Sequence, residues 1–197
     1  MKTAALSTFR KPDYPVADLF VERWSPRAMK PEPLTKDELM PLLEAARWAP
    51  SSYNNQPWRF VYGLRGTKAF DTLLGLLVDQ NRGWARNAGA LVVIVSRGSF
   101  EFNGKPSRTH HFDTGAAWAS FALQGSLNGL AVHGMEGFDY ERAKTELGIP
   151  EGFDVEAMAA VGHPGRKEDL PKAAQDMEKP SGRKKVGDFA FEGGFKA

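Results

Sequence analysis

The loop from Pro50 to Trp58 places a run of hydrogen-bonding side chains between two prolines. Those side chains are Ser51, Ser52, Asn54, Asn55 and Gln56. Each proline fixes its own φ and disfavours helix in the residue before it, so the loop should be rigid. A rigid loop rich in donors and acceptors is typical of a ligand-binding site. An ordinary helix-to-strand turn is the alternative, because proline, serine and asparagine also favour turns.

A second stretch, Arg23-Trp24-Ser25-Pro26-Arg27, offers two guanidiniums and a hydroxyl. In an extended segment Arg23, Ser25 and Arg27 point to the same side, because side chains alternate with a period of two. They could hold an anion, or they could simply be solvated. A short basic group at Arg183, Lys184 and Lys185 has the same two interpretations, since such a triplet can contact a phosphate or lie in water.

Several established types of site are missing from the sequence. There is no glycine-rich dinucleotide fingerprint after a strand, no P-loop and no nucleophile elbow. The absence of cysteine excludes disulfides, thiol nucleophiles and thiolate-bound metals. His110 and His111 are adjacent and no carboxylate lies at ligand spacing on a helix, so we predict no metal site. Gly134 and Gly137 instead bracket Met-Glu and allow the backbone to approach something flat or bulky.

The composition is that of an ordinary globular protein. The 197 residues are 42% hydrophobic and 25% charged, with a formal net charge of +2. This length predicts a single domain with a real core. The small net charge argues against a nucleic-acid partner, and no apolar run is long enough to span a membrane. No signal-peptide pattern opens the chain, and with no cysteine we expect a cytoplasmic protein.

The surrounding elements would position these loops. Thr35 and Glu38 have capping-box spacing and begin a predicted helix over residues 36–48, which leads into the Pro50 loop. Further helices are predicted at 15–22, 70–78, 113–128 (capped by Asp113 or Thr114) and 140–147. Strands are predicted at 59–64, 91–96, 155–162 and 186–191. Residues 79–83 look like a polar break, residues 98–111 like a lid or a surface loop, and residues 1–14 like an irregular arm.

The helix after Asp113 is unusual because small residues lie on nearly every side of it. Such a helix should be buried all round, and in a chain of this size a second subunit would cover part of it. Helices and strands do not alternate regularly, which argues against strict βαβ winding. We therefore predict an α+β fold.

Taken together, several segments resemble the FMN-dependent nitroreductase family. They follow the family's order from about residue 20 to the end of the chain. The segments are Arg23–Arg27, Ala49–Trp58, Asn81 with Trp84, Asp113–Ala117, Glu136–Asp139, Gly162–Pro164 and Ser181–Lys184. The core of the resemblance is Pro-Ser-Ser-x-Asn-x-Gln-Pro-Trp at residues 50–58.

The resemblance implies one domain over residues 1–197, with a mainly antiparallel sheet flanked by helices. It also implies an intertwined homodimer with FMN at the interface, in which residues 186–197 reach the partner's sheet. Arg23, Ser25, Arg183 and Lys184 would bind the FMN phosphate, and Arg27 would lie near flavin N1 and O2.

The remaining site residues follow from the same resemblance. Asn81 would bind the pyrimidine edge of the flavin, and the backbone of Glu136 and Gly137 would face N5 and O4. The partner would contribute Pro50, Ser51, Ser52 and Asn54, with Gln56 nearby.

The implied activity is electron transfer from NAD(P)H through flavin N5 to a nitroaromatic or quinone by a ping-pong mechanism, with no catalytic side chain required. A flavin-binding protein with a regulatory or storage role is the alternative, because it would need the same residues. A weak nucleic-acid binder using Arg183 to Lys185 is a third hypothesis.

Overall fold

Four strands form one antiparallel sheet in the computed structural model, which describes residues 10–196. The strands are β1 (Trp58–Leu64), β2 (Ala90–Arg97), β3 (Ala131–Met135) and β4 (Phe153–Gly162). Their spatial order is β1-β2-β4-β3, so β1 and β3 are the two edges. The predicted α+β class and antiparallel sheet are confirmed.

Seven helices surround the sheet in the described part of the chain. They are α1 (Asp18–Glu22), α2 (Lys36–Arg47), α3 (Lys68–Leu76), α4 (Asp79–Ala85), α5 (His110–Leu127), α6 (Tyr140–Glu146) and α7 (Lys172–Gln175). Short 3-10 turns lie at Ser52–Asn54, Lys167–Asp169 and Val186–Asp188. Both halves of the predicted capping box form at the start of α2: the Glu38 N–H donates to Thr35, and the Thr35 N–H donates to Glu38.

Helices cover both faces of the sheet, and strand β2 shows this most clearly. Leu91, Val93 and Val95 pack into a core with α3, α4, α6 and α7, while the alternate residues Ala90 and Val92 pack against α2 and α5. A strand covered on both sides needs apolar residues at every position. This explains why the β2 sequence is a continuous apolar run.

The predicted edge strand over residues 186–191 is wrong. A 3-10 turn at Val186–Asp188 occupies this segment, and the Val186 N–H donates to Asp13 Oδ2 at 2.9 Å. The alternating pattern finds no neighbouring strand to pair with in the described residues, so it cannot form a ladder. Residues 10–14 lie outside any helix or strand, and the rest of the predicted arm falls outside the described residues.

Two helix predictions also need correction. The polar break predicted at residues 79–83 is part of α4, because Trp84 and Ala85 bury one side of it in the core. Helix α5 begins at His110, before the predicted caps. Asp113 is 3% exposed, and its carboxylate accepts hydrogen bonds from Thr109 and from the Ser52 N–H instead of capping the helix.

Only one side of helix α5 is buried in the single chain. Ala117, Phe121 and Gly125 face the sheet and α2, whereas Gly115 and Ala119 are exposed and the Phe112 side chain is 80% exposed. A single chain therefore leaves part of α5 exposed, and the predicted cover by a second subunit stays a prediction. No helix of residues 10–196 is both long enough and apolar enough to cross a membrane.

Gly125 sits at the closest approach of α5 to β3 and α2. A Cβ atom there would lie 2.4 Å from Val132 Cγ2 and 3.1 Å from Leu42 Cδ2. We expect Gly125→Ala to lower the free energy of unfolding by about 1–3 kcal/mol, as overpacked cores do. Urea denaturation followed by circular dichroism would measure the change.

Gly75→Ala is the matched control, because no atom lies within 4 Å of the corresponding Cβ in helix α3. It should be neutral, or stabilising by up to about 1 kcal/mol through helix propensity. Equal loss of stability in both variants would contradict the packing described for Gly125.

Candidate functional site

Three arginines come together at the segment 23–27. Arg23 begins this segment, and Arg10 and Arg183 come from elsewhere in the chain. Arg10 donates from Nε to the Ser181 carbonyl at 3.0 Å, and from Nη1 to the carbonyls of Val21 and Arg23 at 2.9 and 3.0 Å. Arg183 donates to Ser181 Oγ at 3.0 Å. The carbonyl and hydroxyl oxygens of these segments therefore fix the arginines in place.

The cluster of Arg10, Arg23 and Arg183 carries positive charge without a counterion. Burial, followed by the charge of Arg183, lowers the pKa of Arg23. Burial, Arg183 and Arg23, in that order, lower the pKa of Arg10. No carboxylate of residues 10–196 forms an ion pair with any of the three. Such a cluster is a site for an anion, because an anion would relieve the mutual repulsion.

Ser25 lies next to this cluster, and its Oγ accepts from Arg23 Nη1 at 3.3 Å. The structure thus brings together Arg23, Ser25 and Arg183, and their binding of a phosphate stays a prediction. Lys184 is exposed on the same segment as Arg183. Arg10 was not among the predicted site residues, because nothing in the irregular arm marks it as different from other surface arginines.

The carboxylate of Glu178 anchors this part of the structure. It is 9% exposed and accepts from the Arg27 N–H at 2.9 and 3.0 Å and from the Ala28 N–H at 2.9 Å. The Arg27 guanidinium in turn donates to the Met177 carbonyl at 3.4 Å. Hydrogen bonds from backbone N–H groups to an ionised carboxylate are among the strong ones. Glu178 was also missed, since it lies about 150 residues away in sequence.

His133 supports the same segment from β3. Its ring lies 4.7 Å from that of Trp84, and its Nδ1 lies 3.2 Å from the Pro26 carbonyl. A carbonyl can only accept, so Nδ1 carries the hydrogen. Burial, and then the positive charge of Arg27, lower the pKa of His133 to about 4. The imidazole is therefore neutral near pH 7.

The turn after β3 is held by the start of α4. The Gly137 carbonyl accepts from the Val78 N–H and from Asn81 Nδ2, both at 3.1 Å. A Cβ on Gly137 would lie 2.7 Å from that amide nitrogen, so only glycine fits. Asn81 thus positions the Glu136–Gly137 backbone, and its carbonyl oxygen is left for other contacts.

An open cavity of about 620 Å³ lies between these groups and helix α5. Its walls include Arg23, Ser25, Trp118 and Glu136. Gly134 packs against the Trp118 ring, since a Cβ there would lie 2.9 Å from the ring carbon Cζ2. The spacing of Gly134 and Gly137 predicted close approach to a flat group. At Gly134 that group is the Trp118 ring of the same chain.

The Pro50 loop is strained and held by specific hydrogen bonds. Tyr53, Asn54 and Gln56 have φ values of 51°, 54° and 48°, in the left-handed region that non-glycine residues rarely adopt. The Gln56 N–H donates to Ser51 Oγ at 3.0 Å. Each such conformation costs about 1 kcal/mol or more, and strain of this kind is concentrated at functional sites.

Two residues of this loop point in opposite directions. Asn55 is buried, donates to the Ser99 carbonyl at 3.3 Å and accepts from the Glu101 N–H at 2.9 Å. Tyr53 is 81% exposed and contacts the rings of Phe100 and Phe102. Asn55 therefore anchors the loop to the segment after β2, and Tyr53 belongs to an exposed aromatic surface.

The structure does not bring the Pro50 loop to the arginine cluster within one chain. The loop leads into the edge strand β1, whereas Glu136 and Gly137 follow the opposite edge strand β3. Three strand spacings, about 14 Å, separate these edges. Asn54 and Gln56 line a different open cavity, of about 420 Å³. The predicted site residues thus fall into two groups, one on each edge of the sheet.

The low pKa of His133 should make stability depend on pH. The unfolded chain takes up this proton near pH 6.5 and the folded chain only near pH 4, so stability falls as the pH drops through that window. The difference between these two pKa values corresponds to a loss of at most about 3 kcal/mol in the free energy of unfolding. We expect His133→Asn, which keeps a donor for the Pro26 carbonyl, to flatten the dependence measured by urea denaturation at several pH values.

His163→Gln is the control, because His163 Nε2 pairs with Glu38 Oε1 at 3.2 Å and shares no partner with His133. It should leave the slope between pH 4 and 6.5 close to that of the wild type. A wild-type slope that persists in His133→Asn would refute the assignment.

Comparisons with known proteins identify relatives of this chain. The nitroreductase family model matches residues 20–73. A crystal structure of an oxidoreductase containing FMN is 44% identical, covers 95% of this chain and 96% of its own, and superposes with a TM-score of 0.91.

Two sequence relatives extend the comparison. An uncharacterised 15.4 kDa protein of Mycolicibacterium smegmatis is 32% identical over 68% of this chain and 95% of its own length. The NADH dehydrogenase of Thermus thermophilus is 27% identical over 75% of this chain and 85% of its own. Together with the family model and the FMN-containing structure, these matches show that the chain belongs to the nitroreductase family.

Proposed function

We propose that the protein is an FMN-dependent oxidoreductase that takes electrons from NAD(P)H and passes them, by a ping-pong mechanism, to an acceptor such as a nitroaromatic or a quinone. The observation that carries this proposal is the cluster of Arg10, Arg23 and Arg183, which has no counterion among residues 10–196 and lies beside an open cavity. The relatives support it, since one is an oxidoreductase containing FMN and another an NADH dehydrogenase.

The described residues fit the phosphate end of FMN. Arg23, Ser25 and Arg183, helped by Lys184, would hold the phosphate, and Arg10 adds a third guanidinium to the group. Guanidinium forks match phosphate oxygens in geometry as well as in charge. Burial, followed by repulsion among the arginines, lowers the pKa of Arg10 and Arg23, and a dianionic phosphate would offset that repulsion.

The other end of the cradle fits a flat, hydrogen-bonding ring system. Glu136 and Gly137 offer backbone groups in a turn that Asn81 holds rigid, and no side chain of Gly137 blocks the approach. The Asn81 carbonyl oxygen would accept from the pyrimidine edge. Arg27 would place its charge near N1 and O2, where negative charge develops during the reaction, and a preorganised charge there is worth several kcal/mol.

Bound FMN would supply the redox chemistry, accepting a hydride at N5 from NAD(P)H and giving electrons to the second substrate after the first has left. The protein would bind, orient and shield. Neutral His133, packed on Trp84, would keep the segment 23–27 in place without adding a charge next to Arg27.

The second half of the site would come from a second copy of the chain. The Pro50 loop leads into the sheet edge opposite the arginine cluster. Its predicted site residues are Pro50, Ser51, Ser52, Asn54 and Gln56. A homodimer would bring the partner's loop to this cradle. The exposed small-residue side of α5, with Gly115 and Ala119, would allow close contact between the two copies. The C-terminal segment 186–197 would reach the partner, as the family resemblance implies.

The oxidoreductase proposal is tested by FMN binding and turnover together. We expect one FMN per chain and steady oxidation of NAD(P)H that requires a nitroaromatic or quinone. Arg23→Ala should weaken FMN binding about 10- to 100-fold, because it removes a charge-assisted hydrogen bond to the phosphate. Fluorescence titration of the apoprotein with FMN would measure this loss.

Arg166→Ala is the matched control, since Arg166 is exposed and pairs with Asp169 at 2.8 Å. It should bind FMN as the wild type does. Tight FMN binding without NAD(P)H oxidation would favour the alternative, a flavin-binding protein of regulatory or storage role. A protein that takes up no FMN would refute both.

The two-chain site is tested by complementation. Arg23→Ala and Asn54→Ala would each damage every site in a homodimer. A heterodimer of the two variants, purified through two tags, would contain one intact site and one doubly damaged site. We expect it to hold about half the wild-type FMN per chain. A heterodimer no better than its two parents, or a monomeric protein, would contradict the arrangement.

A further inference from the structure

A second cluster of chemically active side chains lies where helix α5 meets strands β2 and β4. His110 and His111 begin α5, Ser96 lies near the end of β2, and Asp154 and Glu156 lie on β4. His110 Nε2 and His111 Nε2 are each 3.9 Å from the same oxygen, Oδ2 of Asp154. The fold therefore supplies the carboxylate that the sequence did not place near the histidines.

The hydrogen bonds around the two imidazoles decide which nitrogen of each carries a hydrogen. The Ser96 hydroxyl donates to Glu156, so its oxygen can only accept from His110 Nδ1, 2.8 Å away. His111 Nδ1 lies 2.7 Å from Glu156 Oε1, which also accepts. Both rings, when neutral, thus carry their hydrogen on Nδ1 and present a bare lone pair at Nε2.

Three electron-pair donors consequently face one another around a single point. When both rings are neutral, the two Nε2 lone pairs and the Asp154 carboxylate have no hydrogen between them, and a cation bound there would relieve their mutual repulsion. Ligands of tetrahedral Zn²⁺ with bonds of 2.0–2.1 Å lie about 3.3 Å apart. The observed 3.9 Å closes to that value with small side-chain movements, and the side chains of His111 and Asp154 are 58% and 52% exposed.

The geometry points to a divalent-metal site with His110, His111 and Asp154 as ligands and Zn²⁺ as the best-matched ion. Two imidazoles and a carboxylate suit Zn²⁺, with water in the remaining position. Ser96 and Glu156 are its positioning residues, since they orient both rings through Nδ1, as outer partners do at metal sites. No other group of three such side chains comes together among residues 10–196.

This metal site is separate from the proposed FMN cradle. None of its three ligands lines the cavity beside Arg23, and none contacts the arginine cluster. The ion would connect the beginning of α5 to β4, which His111 already contacts through its hydrogen bond to Glu156. Absence of FMN binding would therefore leave the metal site untouched, and absence of Zn²⁺ binding would leave the proposed redox activity untouched.

The test is a Zn²⁺ titration of the FMN-loaded protein after treatment with a chelator, followed by isothermal calorimetry. We expect one Zn²⁺ per chain. Asp154→Asn and His111→Gln should each weaken binding at least about 10-fold, and Ser96→Ala should weaken it about 10-fold by releasing His110. His163→Gln is the matched control, because its imidazole pairs with Glu38 elsewhere, and it should bind like the wild type.

Thermal unfolding gives a second readout that separates binding from folding. A Zn²⁺ concentration 100-fold above Kd should raise the wild-type Tm by about 5–10 °C, but not that of Asp154→Asn, whose exposed side chain should leave the fold intact. The absence of stoichiometric Zn²⁺ binding would overturn the proposal. Equal affinity in wild type and Asp154→Asn would do the same, and the cluster would then be an ion pair sharing a proton.

Discussion

The hydrogen bonds between Glu178 and the backbone of Arg27 and Ala28 hold the candidate site together. Three guanidiniums in one place repel one another, so the cluster exists only because the backbone beneath it is fixed. Glu178 ties the C-terminal segment that carries Arg183 to the segment that carries Arg23. The anion site thus needs both the segment with Arg23 and the segment with Arg183, and neither segment forms it alone.

The order of the strands imposes a second constraint. In the order β1-β2-β4-β3, strands β1 and β3 are the two edges of the sheet. The segments next to these two strands are therefore separated by the full width of the sheet. The arginine cluster adjoins one edge and the Pro50 loop the other, so a single chain offers two half-sites. The same sheet is covered by helices on both faces, which leaves its edges and the open side of α5 as the surfaces where another chain could bind.

The sequence predicted those parts that depend on local spacing. The capping box of Thr35 and Glu38 and the apolar run of β2 are local signals, and both appear as expected. Arg10, Glu178 and His133 could not be found in this way, because their roles come from partners more than ten residues away. Helix α4 was missed for a related reason, since burial of Trp84 outweighs the polar sequence around it.

The strained backbone of the Pro50 loop has a consequence for the order of folding. Its shape depends on Asp113, 61 residues away, and on the segment after β2, through the hydrogen bonds of Ser52 and Asn55. A short chain segment does not hold three left-handed residues by itself, so we expect this loop to reach its final shape only after α5 has packed. A ligand that contacts this loop in its final shape would therefore bind fully folded molecules and not those that are only partly folded.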